Sequence, residues 1–252
     1  MSGPVLALEN VGKAYGGLRV VEDITMSFAA GELHALIGPN GAGKTTLLDL
    51  ISGLLPMEQG RLFFHGRDVT AKSMHRRARL GLARSFQITS LFPGFTVRQT
   101  IELAVQAGES RKIFSCMRRA DRDPCLIKPA VQIMEQVGLG NRADVRAANL
   151  AHGEQRLLEM GMALASGASV LLLDEPMAGM GPGSARSLAA LIKQLKGRKT
   201  ILLIEHDMEA VFSLADRISV LVQGRILAGG SPEEIRANDE VQAAYLGSKC
   251  WF

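Results

Sequence analysis

The feature that most constrains the fold is the segment GPNGAGKT at residues 38–45, which fits the phosphate-loop pattern G-x-x-x-x-G-K-[ST]. The apolar stretch HALI precedes it, and the helix-like stretch TTLLDLISGL overlaps its end. Glycines allow backbone angles at which successive amide groups turn inward around an anion, and a helix N-terminus adds partial positive charge. We therefore predict a strand, an anion-binding loop and a helix. The candidate ligand-binding residues are Gly38, Pro39, Asn40, Gly41, Ala42, Gly43, Lys44, Thr45 and Thr46.

Side chains in this segment and in a second acidic segment have the chemistry of a nucleotide site. Lys44 can reach terminal phosphates as a mobile cation, and the hydroxyl of Thr45 can help to hold magnesium. In VLLLDEP, an apolar run precedes Asp174 and Glu175. Open α/β sheets bind ligands at the carboxyl ends of their strands. Asp174 is therefore predicted to join the magnesium shell, and Glu175 to polarise the attacking water as general base.

Composition limits the classes of protein to which the chain can belong. Of the 252 residues, 47% are apolar and 21% are charged, which allows one large domain or two small ones with a buried core. No apolar run approaches the roughly 18 residues of a membrane span, and the N-terminal stretch MSGPVLALENVG lacks the features of a secretory signal. Cys116, Cys125 and Cys250 are too few and too scattered for a disulfide framework or a zinc site, which predicts a reduced, cytoplasmic compartment.

The chain has a formal net charge of +4, and its basic residues are concentrated in two stretches. These are residues 74–84, MHRRARLGLAR, and residues 111–122, RKIFSCMRRADR. Neither stretch interleaves aromatic and basic side chains as a surface for single-stranded nucleic acid does. We interpret both as solvated helix faces. A contact with a partner or a lipid headgroup is the second interpretation.

Hydrophobic patterning predicts an α/β fold. The first 70 residues are rich in strand-like segments separated by glycine turns, and residues 96–138 show helical spacing. The stretch 170–173 is wholly apolar and 200–204 is a second apolar stretch. They alternate with helical segments, as in a parallel sheet that helices cover on both faces. A hairpin at residues 223–224 and a last helix that begins at Pro232 complete the prediction.

Together with motifs further along the chain, these residues resemble the ATP-binding subunit of an ABC transporter. Tyr15 in VGKAYGG matches the aromatic that stacks on adenine, and Gln87 in ARSFQI matches the glutamine that joins the magnesium site to the membrane partner. Residues 149–155, NLAHGEQ, match the family signature, and His206 in LLIEHDM matches the switch histidine. The motifs follow the family's order over nearly the whole chain, and this joint order outweighs an ordinary surface or core role for each residue.

The resemblance implies an ABC ATPase fold: a P-loop NTPase core with a mostly parallel sheet, an N-terminal antiparallel β subdomain and a helical subdomain. It implies a single domain over residues 1–252, with the helical subdomain at about residues 88–165, and ATP and Mg²⁺ as cofactors. The implied residues are, for catalysis, Glu175, His206 and Gln87; for the metal, Thr45, Gln87 and Asp174; and for the nucleotide, beside the loop, Tyr15, Ala151, His152, Gly153 and Glu154.

The same resemblance implies that two subunits pair head to tail. The signature opens a helix whose free amide groups can face an anion. Because the chain's own loop already holds one nucleotide, this helix start would serve a nucleotide held by a second subunit, either another copy or a paralogue. ATP binding closes the pair and hydrolysis opens it, and a permease docked near Gln87 converts the closure into transport. The chain would lie in the cytoplasm on the inner face of the plasma membrane.

The sequence departs from the family pattern in two places. Ala151 stands where a serine is usual, which removes a hydroxyl contact with the γ-phosphate worth about 1.5–3 kcal/mol. His152 and Glu154 replace the commoner glycine and glutamine. Gly181 stands where many relatives have an aspartate, which bears on communication between the two nucleotide sites.

Within the family, the stretches DEPMAGMGP and AAYLG most resemble bacterial importers of branched-chain amino acids and their relatives, such as urea importers. This implies uptake of a small polar solute that a periplasmic solute-binding protein delivers, with no nucleic-acid partner. One alternative is a soluble ABC ATPase that acts on nucleic acid or the ribosome, which the basic stretches favour and the lack of a second ATPase domain or sustained heptads opposes. Another is a non-catalytic regulatory ABC domain, which Ala151 favours and which Glu175 and His206 oppose.

Overall fold

The computed structural model describes residues 3–85, 92–109 and 124–245. The strands are β1 Leu6–Tyr15, β2 Leu18–Phe28, β3 Leu33–Ile37, β4 Gln59–Phe64, β5 Arg67–Asp68, β6 Leu82–Arg84, β7 Val170–Asp174, β8 Thr200–Ile204, β9 Arg217–Val222 and β10 Arg225–Gly230. The α-helices are α1 Lys44–Ser52, α2 Met74–Leu80, α3 Val97–Glu109, α4 Pro124–Gln136, α5 His152–Ala165, α6 Pro182–Leu195, α7 Met208–Leu214, α8 Pro232–Arg236 and α9 Asp239–Tyr245. Short 3₁₀ turns occur at Gly140–Arg142 and Ala147–Asn149.

The strands form two sheets. The larger sheet has the order β10-β9-β3-β8-β7-β6, in which β10 is antiparallel to β9 and the other neighbours are parallel. The smaller sheet, β2-β1-β4-β5, is antiparallel throughout. The predicted α/β fold is confirmed, with its mostly parallel core sheet and its antiparallel N-terminal strands.

The central strands of the larger sheet, β3, β7 and β8, are buried at every position, which explains why they are mostly apolar. In β7, Leu171 and Leu173 pack into a core shared with helices α3 to α7, whereas Val170 and Leu172 pack into a second core with α1, β1 and β2. Because successive side chains of a strand point to opposite faces, a strand covered on both sides is apolar at most of its positions. The predicted strand at residues 200–204 coincides with β8.

The C-terminal hairpin and the helix after it also follow the sequence prediction. Gln223 and Gly224 have φ angles of 49° and 80°, as the two central residues of a type I′ turn require. Helix α8 begins at Pro232, and Ser231 and Glu234 form a capping box before it: the Ser231 hydroxyl accepts from the Glu234 amide, and the Glu234 carboxylate accepts from the Ser231 amide. Helix α9 was not predicted, because its 7 residues are too few to show a helical period.

Helices α3, α4 and α5 pack against one another. Gly161 of α5 allows α3 to approach closely, since a Cβ atom there would lie 2.8 Å from Cδ1 of Ile101. Helix α4 begins at Pro124 and contains Pro129. The division into a helical subdomain at about residues 88–165 within one domain stays a prediction.

Some sequence-based expectations concern residues outside the described ranges. These are Gln87, Cys116, Cys250 and the second basic stretch at residues 111–122. Cys125 lies within the described ranges, near the start of α4, and is exposed. Within the described ranges, none of the helices combines the length and the apolar character that a bilayer crossing requires.

The first basic stretch is not a uniformly solvated helix face, so that prediction was wrong for Arg77. Arg76 and Arg79 of α2 are exposed, but Arg77 is only 2% exposed. Its guanidinium group donates to four backbone carbonyl groups, two of them in the last turn of α1: Leu50, Ile51, Thr70 and Lys72. Because unpaired carbonyl groups at a helix C-terminus carry partial negative charge, Arg77 both caps α1 and joins it to α2. Burial lowers the pKa of Arg77.

We expect Arg77→Met to lower the free energy of unfolding by about 3 kcal/mol, because buried carbonyl groups lose their donor. Urea unfolding followed by circular dichroism measures this loss. Arg79→Met makes the same chemical change on the exposed face of α2 and is expected to stay within about 0.5 kcal/mol of the parent protein. Equal losses from the two variants would contradict the capping role of Arg77.

Candidate functional site

The loop between β3 and α1 packs so closely against its neighbours that two of its glycines cannot carry a side chain. Gly43, at the N-cap of α1, has a φ angle of 104°, and a Cβ atom there would lie 2.4 Å from the carbonyl oxygen of Val20. A Cβ atom on Gly38 would lie 2.1 Å from the carbonyl oxygen of Leu221. The predicted strand, loop and helix are therefore present, and the start of α1 leaves unpaired amide groups for an anion.

Lys44, the first residue of α1, lies between this loop and the end of β7. Its ammonium group donates to the carbonyl oxygens of Gly38 and Pro39 at 2.6 and 3.0 Å. Burial lowers the pKa of Lys44, and the neighbouring carboxylates of Glu175 and Asp174 oppose that shift. The cation is thus positioned to meet an anion held by the loop amides.

Asp174, the last residue of β7, has a buried carboxylate with two different oxygens. Oδ2 lies 3.4 Å from Nη2 of Arg84, whereas Oδ1 is buried and has no hydrogen-bond partner in the described part of the chain. Burial raises the pKa of Asp174, and the guanidinium group of Arg84 opposes that shift. A buried oxygen without a donor fits a cation ligand.

The donors that the site offers suit Mg²⁺. Asp174 supplies a carboxylate oxygen, and Thr45 supplies a hydroxyl group on an exposed side chain in the first turn of α1. Among the residues that the structure describes, no cluster of three or more His, Cys, Asp or Glu side chains could hold a metal by itself. Mg²⁺ commonly binds one or two protein oxygens together with substrate phosphates, and these residues fit that mode.

Glu175 and His206 face each other at the same edge of the sheet. Glu175 has a φ angle of 46°, a left-handed conformation that costs a residue with a side chain about 1 kcal/mol or more. Its amide donates to the carbonyl oxygen of Ile204 at 2.9 Å. Its Oε2 atom lies 3.8 Å from Nδ1 of His206, whose side chain is 69% exposed. The structure therefore brings together the predicted general base and the predicted switch histidine.

Sequence reasoning missed Glu205, which directly follows β8. Its side chain is almost fully buried and accepts from the amide of Met177 at 2.9 Å and from that of His206 at 3.2 Å. Burial raises the pKa of Glu205, and the two backbone donors oppose that shift. Glu205 thus ties the segment after β7 to the segment that carries His206. The stretch LLIE shows an acidic residue directly after an apolar run, but it does not show which amide groups that residue binds.

The signature residues open helix α5. Ala151 is the N-cap, and its amide donates to Oε2 of Glu154 at 3.0 Å. Oε1 of Glu154 accepts from Nε of Arg142 at 2.9 Å, so both carboxylate oxygens have partners within the chain. Ala151 has no side-chain oxygen to complete a capping box. Glu154 therefore stabilises the helix start, and Arg142, which sequence reasoning also missed, partly neutralises it.

The other signature residues differ in how tightly they are held. Gly153 is buried, and a Cβ atom there would lie 2.6 Å from Oγ and Cβ of Ser184. His152 is exposed, with its Cε1 atom toward Gly179 in the loop before α6. This helix start thus packs against the first turn of α6, the loop before α6 and Arg142. A role for it opposite a second subunit's nucleotide stays a prediction.

Tyr15, at the end of β1, presents an aromatic ring to solvent. The residue is 49% exposed, and Nζ of Lys13 lies 5.2 Å from the ring centroid. Lys13 itself is buried and pairs with Glu58. An exposed ring with a fixed cation beside it can stack on a base. Gln87, the other predicted link in the site, lies outside the described residues.

Comparisons with known proteins identify the family. Residues 21–178 match the family model described as ABC transporter, and residues 225–249 match one described as branched-chain amino acid ATP-binding cassette transporter. The chain is 38% identical to a protein of Salmonella typhimurium (strain LT2) named high-affinity branched-chain amino acid transport ATP-binding protein LivG, over 98% of this chain and 99% of that protein. It is 35% identical to a Pseudomonas aeruginosa protein named high-affinity branched-chain amino acid transport ATP-binding protein BraF, again over 98% of this chain and 99% of that protein.

Solved structures give the same result for the fold. The ADP conformation of MJ1267, titled an ATP-binding cassette of an ABC transporter, superposes with a TM-score of 0.83 at 28% identity and covers 97% of this chain and 99% of that one. A nucleotide-free ATP-binding cassette from an ABC transporter superposes with a TM-score of 0.82, also at 28% identity, over 96% of this chain and 98% of that chain. The chain therefore belongs to the ABC transporter family, as an ATP-binding subunit that hydrolyses ATP.

Proposed function

We propose that the chain binds Mg²⁺-ATP at the edge of the larger sheet where β3, β7 and β8 end. The observation that carries this proposal is the meeting of the glycine loop, Lys44 and the half-paired carboxylate of Asp174 at that edge. The amide groups of residues 38–46 and the ammonium group of Lys44 hold the phosphates, and Tyr15 stacks on adenine. Thr45, Asp174 and Gln87 hold Mg²⁺, which stabilises the charge that develops on the phosphates.

Hydrolysis in this proposal depends on Glu175. Its carboxylate is partly exposed, whereas that of Asp174 is buried, so a water molecule can reach it. Glu175 accepts a proton from that water as the water oxygen bonds to the γ-phosphorus, and the bond from this phosphorus to the β–γ bridging oxygen breaks, so that ADP leaves. His206, 3.8 Å from the Glu175 carboxylate, orients it and donates to an oxygen of the γ-phosphate. Glu205 fixes the backbone from which His206 projects.

A second ATP-binding subunit completes the site. The start of α5, residues 151–154, is directed at the γ-phosphate of ATP held by a partner subunit, a copy of this chain or a paralogue. Without a serine hydroxyl at Ala151, the contact relies on backbone amide groups and on His152. The pair closes on ATP and opens after hydrolysis, and transmembrane permease subunits convert that cycle into transport.

The solute is a branched-chain amino acid or a similarly small polar compound, such as one related to urea. Support comes from the names of the relatives LivG and BraF and from the match of residues 225–249 to the branched-chain amino acid model. In this proposal the chain lies on the cytoplasmic face of the plasma membrane, and a periplasmic solute-binding protein delivers the solute to the permease.

The alternative of a soluble ATPase that acts on nucleic acid is not favoured, because the relatives of this chain are named as transport proteins. The basic stretch at residues 74–84 gives that alternative less support than its sequence suggested. Arg77 is buried and Arg84 is nearly buried, and both pair with groups within the chain. Their charges are therefore not displayed to a nucleic acid.

Lys44→Ala is expected to weaken ATP binding about tenfold to a hundredfold and to abolish turnover, because charge-assisted hydrogen bonds to the phosphates are lost. Fluorescence titration with an ATP analogue and a phosphate-release assay measure the two effects. Lys193→Ala removes an exposed lysine of α6 and serves as the matched control, with both values expected to match the parent protein. Unchanged turnover in Lys44→Ala would refute the phosphate-loop assignment.

Glu175→Gln is expected to keep ATP affinity and to lower turnover by at least about a hundredfold, since a positioned general base contributes that much or more. With ATP and the partner subunits present, this variant should accumulate as a closed pair, which light scattering after gel filtration detects. Glu209→Gln, at an exposed position of α7, is the control. A pair that fails to form at saturating ATP would contradict the two-subunit arrangement, and normal turnover would contradict the role of Glu175.

A further inference from the structure

Arg84 is a nearly buried arginine that joins the phosphate-loop helix to the end of β7. It is the last residue of β6, and its side chain is 9% exposed. Nη1 pairs with Oδ1 of Asp49 and donates to Oγ of Ser52 at 3.2 Å, both on α1. Nη2 donates to Oδ2 of Asp174 at 3.4 Å. One guanidinium group therefore contacts two carboxylates that lie on different elements.

These contacts give the Asp174 side chain a defined orientation. Oδ2 faces Arg84, and the Asp174 amide donates to Oγ of Ser85, the next residue, at 3.3 Å. The side chain is 1% exposed, and its Oδ1 atom has no hydrogen-bond partner among residues 3–85, 92–109 and 124–245. Holding one carboxylate oxygen leaves the other fixed in direction. Arg84 and Ser85 together therefore determine where Oδ1 points.

We propose that Arg84 is a positioning residue for the metal: it holds Oδ2 of Asp174 so that Oδ1 is presented to Mg²⁺. This inference rests on the proposed role of Asp174 as a metal ligand. Groups that orient a ligating carboxylate affect metal affinity strongly, and their loss typically lowers it about tenfold to a hundredfold. The planar fork of arginine suits the task, because its separate N–H groups can hold Asp49 and Asp174 at once.

Asp49 anchors Arg84 to α1, so Arg84 pairs with a second carboxylate besides that of Asp174. Since Asp49 and Ser52 lie on α1, the helix that begins at Lys44, Arg84 is fixed to the same element that presents the phosphate loop. The direction of Oδ1 is thus set relative to the position at which the phosphates bind. A lysine in place of Arg84 would keep the charge but could not reproduce both contacts with one planar group.

The test compares ATP affinity in excess Mg²⁺ with ATP affinity in EDTA, and the ratio of the two affinities isolates the metal contribution. Arg84→Met is expected to lower this ratio about tenfold or more while the affinity in EDTA stays within about twofold. Arg84→Lys should give an intermediate ratio. Arg79→Met makes the same change at an exposed position of α2 and should leave the ratio unchanged. Electron paramagnetic resonance of Mn²⁺ with an ATP analogue gives an independent metal affinity, which Arg84→Met should lower by the same factor.

Asp174→Asn separates failure of this inference from failure of the proposed function. If Asp174→Asn lowers the ratio and Arg84→Met does not, the role of Arg84 is overturned and Asp174 remains a metal ligand. If neither variant lowers the ratio, the metal assignment of Asp174 fails, and the inference fails with it. If Arg84→Met lowers ATP affinity equally in EDTA, Arg84 only holds the structure together, because the loss does not depend on the metal. If Arg84→Met binds Mn²⁺ more tightly, the positive charge of Arg84 opposes metal binding. Either result overturns the inference.

Asp49→Asn keeps the proposal testable if Arg84→Met does not fold. It leaves Arg84 in place but weakens the contact that anchors it to α1. The ratio of affinities is then expected to fall about threefold to tenfold, because a neutral acceptor holds the guanidinium group less firmly. A ratio equal to that of the parent protein in a folded Asp49→Asn variant would overturn the anchoring step and the proposal with it.

Discussion

The parallel pairing of β3, β8 and β7 is the constraint on which the site depends. In this register Ile204 of β8 lies opposite Leu36 on one side and Asp174 on the other, so the three strands end together. Burial on both faces fixes the register, because a shift by one residue would move each side chain to the opposite core. The residues that follow the strand ends therefore share one edge of the sheet: Gly38, Glu175, Glu205 and His206.

Much of this arrangement could be predicted from the sequence because its causes are local. The glycines of residues 38–43, the apolar strands at 170–173 and 200–204 and the turn at 223–224 each show in a few consecutive residues what the backbone must do. Two of those glycines face backbone oxygens too close for a side chain. By contrast, Gly181 has an ordinary φ angle of −66° and open space beside it, so the fold does not require glycine there.

The arginines and Glu205 could not be predicted because their partners are distant in the sequence or belong to the backbone. Arg77 donates to the carbonyl oxygen of Leu50, 27 residues away, and Arg84 pairs with Asp174, 90 residues away. A basic stretch looks the same whether its arginines are solvated or bound to carbonyl groups. Glu205 is kept by two amide groups, which no residue pattern encodes. Burial of a charge thus depends on tertiary partners, whereas burial of a leucine follows from periodicity.

The ionisable side chains at this shared edge of the sheet lie where burial makes their charged forms unfavourable. Burial is the largest cause of the raised pKa values of Asp174 and Glu205, and it also lowers the pKa of Lys44. Without a ligand, these groups therefore lower the free energy of unfolding, because each has less solvation or fewer partners than its charge requires. A triphosphate supplies anionic partners to Lys44, and a cation supplies one to Oδ1 of Asp174. Because only the folded chain offers these groups together, ligand binding stabilises the fold through the same charges that otherwise oppose it.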